Sequence, residues 1–436
     1  MNGARAELET IFAAALQAVD PGAALLRVVE VDGGALRIAG EALPRGARVS
    51  VVAAGKAAPT MAEAFERAAA DLPLRGLVVT KDGHGRPSPR LALYEAGHPV
   101  PDVRSAAAGH AALETAAQAG VGETLIVLLS GGASALLSAP LPGLTVEELR
   151  ITTELLLQSG AEIAELNCVR KHLTAVSGGR LLAATRARVL VLALSDVLGD
   201  DLATIGSGPC APDPTTFVDA LTVLQQRGLL GRVPPAIREQ LEAGARGHRS
   251  ESLKEGDPAL ARVKSVVLAA NRDALAAAAR FARSRGLAAH IVSDRMRGEA
   301  RDLGARLAAL ARATRRSAKG TLLLAGGEPT VTVRGRGRGG RAQELALAAA
   351  IALAGGSDIS LLAAGTDGSD GPTAAAGAYA DAGTLARGAA LGLDARACLD
   401  DNDAHAFFAR EGGCFFTGPT GTNVMDLVLV RLTAQA

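Results

Sequence analysis

Residues 124–132 read TLIVLLSGG: an apolar run short enough for a strand, closed by Ser and two glycines, with a helix candidate behind it. The same phrase recurs upstream in ARVSVVAAGK (47–56) and GLVVTK (76–81), and downstream in RVLVLALSD (188–196). Strand, small-residue turn and helix in repetition make a βαβ rhythm, which predicts a mostly parallel sheet covered by helices. A second series follows in SVVLAAN (265–271), AAHIVSD (288–294), TLLLAGGE (321–328) and ISLLAAGTDG (359–368). Between them, Pro234-Pro235, Pro258 and dense charge over 229–264 break the rhythm and read as a helix plus connector. The expected fold is α/β: two doubly wound, mostly parallel-sheet, Rossmann-like domains over 1–235 and 236–436. The first forty residues read as two helices broken at Asp20-Pro21.

Composition narrows the class. A chain of 436 residues exceeds one ordinary core, so two domains are the natural expectation. Nearly half the residues are apolar but aromatics are only 2%, so the core must be packed with Ala, Val and Leu. A net charge of +1 without a long basic block argues against nucleic acid as a partner. Cys168, Cys210, Cys398 and Cys414 are scattered with no C-x-x-C pair, pointing to a reducing compartment and no structural zinc. No apolar run approaches the ~18 residues of a membrane span, so no membrane is expected and the compartment is the cytoplasm.

In open parallel sheets, ligands gather at the carboxyl ends of the strands. Those ends here read Gly55-Lys56, Ser130-Gly131-Gly132, Ser195-Asp196, Asn271, Gly327-Glu328 and Thr366-Asp367, and the two halves are expected to face each other across a cleft lined by them. Of the 46 basic residues only six are Lys, so Lys56 at a strand–helix junction asks why Arg would not serve. A compact ammonium that can lose its proton is one answer. The macrodipole disfavours a cation at a helix start, so an anion is expected beside it. In LLSGGASALL (128–137), Ser130, Gly131, Gly132 and Ser134 can form a nest of donors for phosphate, although no Walker A loop occurs in the chain.

TVTVRGRGRGGRAQELALAAA (330–350) alternates Gly and Arg before a helix, placing Arg334, Arg336, Arg338 and Arg341 among Gly335, Gly337, Gly339 and Gly340. Guanidinium groups and bare amides at a helix start suit phosphate or carboxylate. GTDGSDGPTAAAGA (365–378) sets Asp367 and Asp370 in a loop that can order a metal-bound phosphate or a substrate hydroxyl. Asp196 is the best-placed acid of its own stretch. Arg170 and Lys171 read as a solvated basic helix face, and His98, in GHPVPD (97–102), as structural. No Ser-His-Asp or Cys-His set assembles. The inventory fits phosphoryl transfer, in which the protein chiefly positions groups and neutralises charge.

Taken together, GK at 55–56, SGGASALL at 130–137, VRKHL at 169–173, SDVLGDDLATIGSGP at 195–209, GGRAQELAL at 339–347 and GTDGSDGPTAAAGA at 365–378 resemble the class II glycerate 2-kinases. That family joins an N-terminal glycerate kinase domain to a C-terminal MOFRL region, here about 320–430. The resemblance implies ATP-dependent phosphorylation of D-glycerate to 2-phosphoglycerate with Mg²⁺, in an active site in the interdomain cleft; a homodimer is left open. It implies Lys56 and Arg341 as the catalytic pair. It also implies a phosphate or nucleotide cradle from Ser130, Gly131, Gly132, Ser134 and Ala135, with Gly337, Gly339 and Gly340 from the Gly–Arg loop. Arg336, Arg338, Asp196, Glu328 and Asp367 would line the substrate site, Asp196 and Asp367 being the candidate metal ligands. Three positions depart from the family pattern: Ala133 where a third Gly is usual, Ala342 where Asn is common, and Ser177 where Lys is frequent.

Two rival readings carry their own signals. Gly335, Gly337 and Gly340 match G-x-G-x-x-G, which would suit an NAD(P)H-dependent hydroxypyruvate reductase. However, Asp367 lies 27 residues after Gly340, beyond the roughly 20 expected of the ribose-binding acid. A non-catalytic sensor of phosphorylated sugar acids would need the same anion-binding groups without turnover.

Overall fold

The structure is a computed structural model and describes residues 2–32, 35–43, 46–355 and 358–434. The chain forms two compact units: Pro21–Leu268, and Met1–Asp20 together with Ala269–Ala436.

The first unit is built on a six-stranded sheet in the order Ala92–Ala96, Leu74–Lys81, Val49–Ala54, Thr124–Leu129, Arg188–Leu194, Val263–Ala269. The first five pair in parallel. Val49–Ala54 and Thr124–Leu129 are buried at every position, as strands with helices on both faces must be. With few aromatics available, close packing comes from small faces: Ala108, Ala112 and Ala116 of the helix Val103–Gln118 share a core with Val127 and Leu129. A small antiparallel sheet of Val29–Asp32, Ala35–Ile38 and Glu41–Leu43 stands where a second N-terminal helix was expected. The helix Pro21–Leu26 ends early, and alternation in ALRI buries every second residue.

The second sheet, also six-stranded, runs Ala288–Glu299, Thr321–Thr330, Asp426–Leu432, Ile359–Gly365, Gly377–Asp381, Cys414–Phe415. It is α/β but not mostly parallel, which corrects the expectation for this half. Only Ala288–Glu299 and Thr321–Thr330 pair in parallel; the other four pairings are antiparallel. The final strand inserts between two strands that both run opposite to it. Ile359–Gly365 returns to Gly377–Asp381 without the crossover helix that a parallel neighbour would need.

The unit boundary also departs from a division at 235. Residues 236–262 stay with the first unit, because the helix Pro235–Ala245 packs on Phe217–Gln226 and Val263–Ala269 closes that unit's sheet. The first helix, Asn2–Ala18, belongs to the second unit: Phe12 meets Phe415 edge-on at 5.3 Å, Tyr379 Oη donates to Glu9 at 2.7 Å, and Arg431 Nε donates to Glu7 at 2.7 Å. No helix among the described residues is long and apolar enough to cross a membrane.

Candidate active site

In the first unit, register aligns the strand ends. Ala54 lies opposite Leu129, and Leu129 opposite Ala193, so Gly55-Lys56, Ser130-Gly131-Gly132 and Ser195-Asp196 leave the sheet side by side. The first two turns are bonded together: Lys56 N donates to Gly131 O at 2.9 Å, and Ala57 N to Ser130 Oγ at 3.0 Å. Gly55 has φ +125°, and a Cβ there would fall 2.3 Å from Ser130 Oγ, so no other residue fits. Ser130 and Ala135 are buried and shape the turn, whereas Gly132 and Ser134 are its half-buried members. A Cβ on Gly132 would lie 3.1 Å from His98 Nε2 and 3.6 Å from Lys56 Cγ. His98, read from sequence as structural, therefore stands beside the lysine and the phosphate-type loop.

Lys171 and its neighbours do not form a solvated basic face. Lys171 Nζ lies 3.1 Å from Asp213 Oδ1, with side-chain exposures of 5% and 0%, and His172 Nε2 lies 3.2 Å from Glu251. Arg170 is only half-buried, but desolvation lowers its pKa. The helix Ile163–Lys171 also carries Asn167, whose Oδ1 is 2.9 Å from Ser207 Oγ; that hydroxyl is 2.7 Å from Ser134 Oγ. Neither Asn167 nor Ser207 stood out in the sequence.

In the second unit, Asp426 at the start of its strand lies opposite both Gly327 and Gly365. An antiparallel strand thus brings its first residue beside Gly327-Glu328, near the end of Thr321–Thr330, and beside Gly365, after which Thr366-Asp367 leaves the sheet. Arg341, first residue of the helix Arg341–Leu353, is clamped there. Its Nε and Nη2 donate to the two oxygens of Asp426 at 2.6 and 3.1 Å, and its Nη1 to Glu328 at 2.8 Å. A Cβ on Gly365 would be 3.5 Å from both Asp367 Oδ1 and Asp426 Oδ1, so Asp367 joins the group. Burial pushes the Asp426 carboxyl up to about 6 against the opposing pull of Arg341, while the two carboxylates raise the Arg341 guanidinium further. Asp426 escaped the sequence reading; its one signal was an acid directly before the apolar run LVLV.

The Gly–Arg loop needs correction as an open nest of amides. Arg334 N and Gly335 N donate to Asn402 Oδ1, Arg336 N to Asp401 Oδ1, Gly337 N to Asp401 O, and Arg338 N to Asp403 Oδ1. At the helix start, Asp370 accepts from Ala342 N at 3.0 Å and Gln343 N at 2.8 Å. The glycines permit close approach of these segments: Cβ atoms at Gly335, Gly337 and Gly340 would meet Asp401, Asp403 and Asp370 at 2.2–2.3 Å. Gly337 therefore offers no amide to a phosphate. What the loop exposes is guanidinium: Arg334, Arg336 and Arg338 face solvent, Arg338 also donating to Pro372 O. The same packing removes the support for a dinucleotide site, since the preceding strand ends at Thr330 and the three glycines hold protein rather than pyrophosphate.

Among the described residues no group of three or more His, Cys, Asp or Glu side chains is arranged to hold a metal ion. Asp367 Oδ1 already accepts from Ser369 N and Oγ, both at 3.0 Å. Mg²⁺ needs only one or two carboxylates when phosphate oxygens complete its shell.

Comparison with known proteins fits this arrangement. Residues 7–242 match a domain of unknown function (DUF4147), and residues 321–426 match the MOFRL family. The glycerate 2-kinase of Pyrococcus horikoshii is 39% identical over 426 residues, 97% of this chain and 96% of that one. The chain belongs to the glycerate 2-kinase family. The crystal structure of glycerate kinase from Thermotoga maritima superposes with a TM-score of 0.84 at 37% identity, covering 99% of this chain and 100% of the other. A relative in Agrobacterium vitis, 39% identical over 97% of this chain and 93% of its own, bears the name putative hydroxypyruvate reductase. Lys56, Gly132, Ser134, Arg341 and Asp426 lie within the regions matched to the two families.

Proposed function

We propose that the protein transfers the γ-phosphoryl group of ATP to the 2-hydroxyl of D-glycerate, giving 2-phosphoglycerate. The observation that carries this is the clamped Arg341. A guanidinium fixed by Asp426 and Glu328 at the meeting of three strand ends is a pre-oriented cation, within a chain 39% identical to a glycerate 2-kinase. Lys56 acts beside Gly132 and Ser134, its ammonium neutralising phosphoryl oxygens as charge shifts to the leaving group. Gly132 and Ser134 receive the phosphate chain. Arg336 and Arg338 are the cations offered to the substrate carboxylate. Asp196 or Asp367 would supply a carboxylate to Mg²⁺ arriving with the nucleotide, and the ion would screen charge on the phosphates. Unpaired cysteines at all four positions suit the cytoplasm.

ADP release measured with D- and L-glycerate, followed by identification of the phosphorylated product, tests the proposal. ADP formed with D-glycerate and a 2-phospho product are expected. NADH oxidation by hydroxypyruvate with no ADP release would replace this activity with the reductase.

A further inference from the structure

We infer that Asn167 and Ser207 are positioning residues that set the direction in which Ser134 offers its hydroxyl proton to the nucleotide phosphate; the inference rests on the kinase activity proposed above. Ser207 Oγ sits 2.7 Å from Ser134 Oγ and 2.9 Å from Asn167 Oδ1, so the amide oxygen is the atom turned towards it here. Ser207 is fully buried and Asn167 is 4% exposed, while Ser134 is half-buried, so the chain runs from the interior to the loop surface.

A hydroxyl carries one proton, so Ser207 cannot donate to both neighbours. If the amide oxygen faces Ser207, the Ser207 proton goes inward and Ser134 must donate to Ser207. Ser134 then shows only lone pairs to the outside, and phosphate, which carries acceptors, is repelled. If the amide nitrogen faces Ser207, it donates to Ser207, Ser207 donates to Ser134, and the Ser134 proton points outward. The oxygen and nitrogen of an amide occupy interchangeable positions, so a half-turn of one side chain switches the whole relay. A bound phosphate selects the second sense.

The surrounding backbone holds the relay in place. Ser207 adopts φ +58°, a left-handed conformation that costs a residue with a Cβ, between Gly206 at +59° and Gly208 at +58°. Its carbonyl accepts from Gly178 N at 3.0 Å, and Gly208 O accepts from Gly179 N at 2.8 Å. A Cβ on Gly206 would be 3.1 Å from Ala133 Cβ, so this turn lies directly against the phosphate-type loop. At the far end, the Lys171–Asp213 pair anchors the helix that carries Asn167. A serine kept in an unfavourable backbone conformation, where its hydroxyl joins another hydroxyl and an amide, has its side chain as the reason.

Steady-state KM for ATP and for glycerate, with kcat, should be measured in Ser134→Ala, Ser207→Ala, Asn167→Asp and the Asn167→Asp/Ser134→Ala double variant. An ionised Asp at 167 only accepts, which locks the relay in the inward sense. Asn167→Asp is expected to raise KM for ATP roughly tenfold or more, the loss of one hydrogen bond to a charged group, with KM for glycerate unchanged. The double variant should be no worse than Ser134→Ala alone. A protonated carboxyl regains a donor, so the defect of Asn167→Asp should shrink as pH falls, a recovery that wild type does not show. Ser207→Ala, which introduces no buried charge, guards against misfolding of the Asp variant: it leaves the Ser134 proton free to reach phosphate, so it should raise KM for ATP much less than Asn167→Asp does. An unchanged KM for ATP in Asn167→Asp, a defect in Ser207→Ala as large as that of Asn167→Asp, or additive effects in the double variant would overturn the relay while the kinase activity stands. Absence of wild-type ATP turnover would instead remove the activity itself.

Discussion

At the scale of single residues, the two cations should fail differently when altered. Lys56→Ala is expected to lower kcat by about 10²–10³, the scale of removing one preorganised group aimed at developing charge, with KM for glycerate little changed. Lys56→Arg should recover little, because a planar fork cannot replace a compact ammonium beside Gly132. Turnover unchanged in Lys56→Ala would remove the lysine from the chemistry. Arg341 works only through its carboxylates, and Asp426 makes that dependence visible in pH. Burial holds the Asp426 carboxyl at about 6, above its ordinary 3.8, so ionising it costs the folded state. By itself, this group makes the fold more stable on the acid side, and that advantage is lost as pH rises from the ordinary carboxyl range through about 6. Activity runs the opposite way, since only the ionised carboxylate accepts both Arg341 N–H groups. A kcat/KM profile should fall as pH drops through about 6, and Asp426→Asn should lower the plateau and abolish that limb. A limb that survives in Asp426→Asn belongs to another group. Arg341 was legible because Arg amid glycines at a helix start is an unusual pattern. Asp426, 85 residues away, was not, because its place depends on an antiparallel strand inserted last.

At the scale of elements, the helix Arg341–Leu353 shows how far a local pattern reaches. Bare amides and arginines before a helix were read as a socket for a ligand anion, and the element and its start are where that pattern put them. The occupant of the first-turn amides is internal: Asp370, 3% exposed, accepts from Ala342 N, Gln343 N and Gln343 Nε2. Sequence reveals which amides are uncovered but not which carboxylate the fold brings to them. Asp370→Ala should cost at least the about 1–2 kcal/mol of a lost helix cap, because the two amides are buried and water replaces the carboxylate poorly. Thermal denaturation should show the loss, with Asp370→Asn milder since its oxygen still accepts. An unshifted midpoint in Asp370→Ala would mean that the cap contributes nothing. The strand-end turns of the first unit were the most legible elements, because fully apolar runs closing on Gly and Ser leave one arrangement that buries both faces.

At the scale of the whole molecule, order along the chain was a poor guide to which pieces fold together. The first helix buries Leu8, Ile11, Phe12 and Ala15 almost completely, and Val19 just after it is buried too. Its apolar face announces that it packs, but nothing nearby in sequence says against what; its partners Tyr379, Phe415 and Arg431 lie near the opposite end of the chain. That closure has a consequence for stability. Phe12 is 1% exposed and contacts Phe415 edge-on, so Phe12→Ala should cost about 3–5 kcal/mol, as large-to-small changes in packed cores do. Because Phe12 belongs to the unit of Met1–Asp20 and Ala269–Ala436, the loss should fall on that unit's unfolding. For a unit of this size each kcal/mol moves the midpoint by about 2–4 °C, so a drop on the order of 10 °C is expected by calorimetry. If the units melt separately, the transition of Pro21–Leu268 should keep its midpoint, and limited proteolysis of Phe12→Ala should cut first after residue 269. Early cleavage within 49–194 instead would place the first helix with the other core.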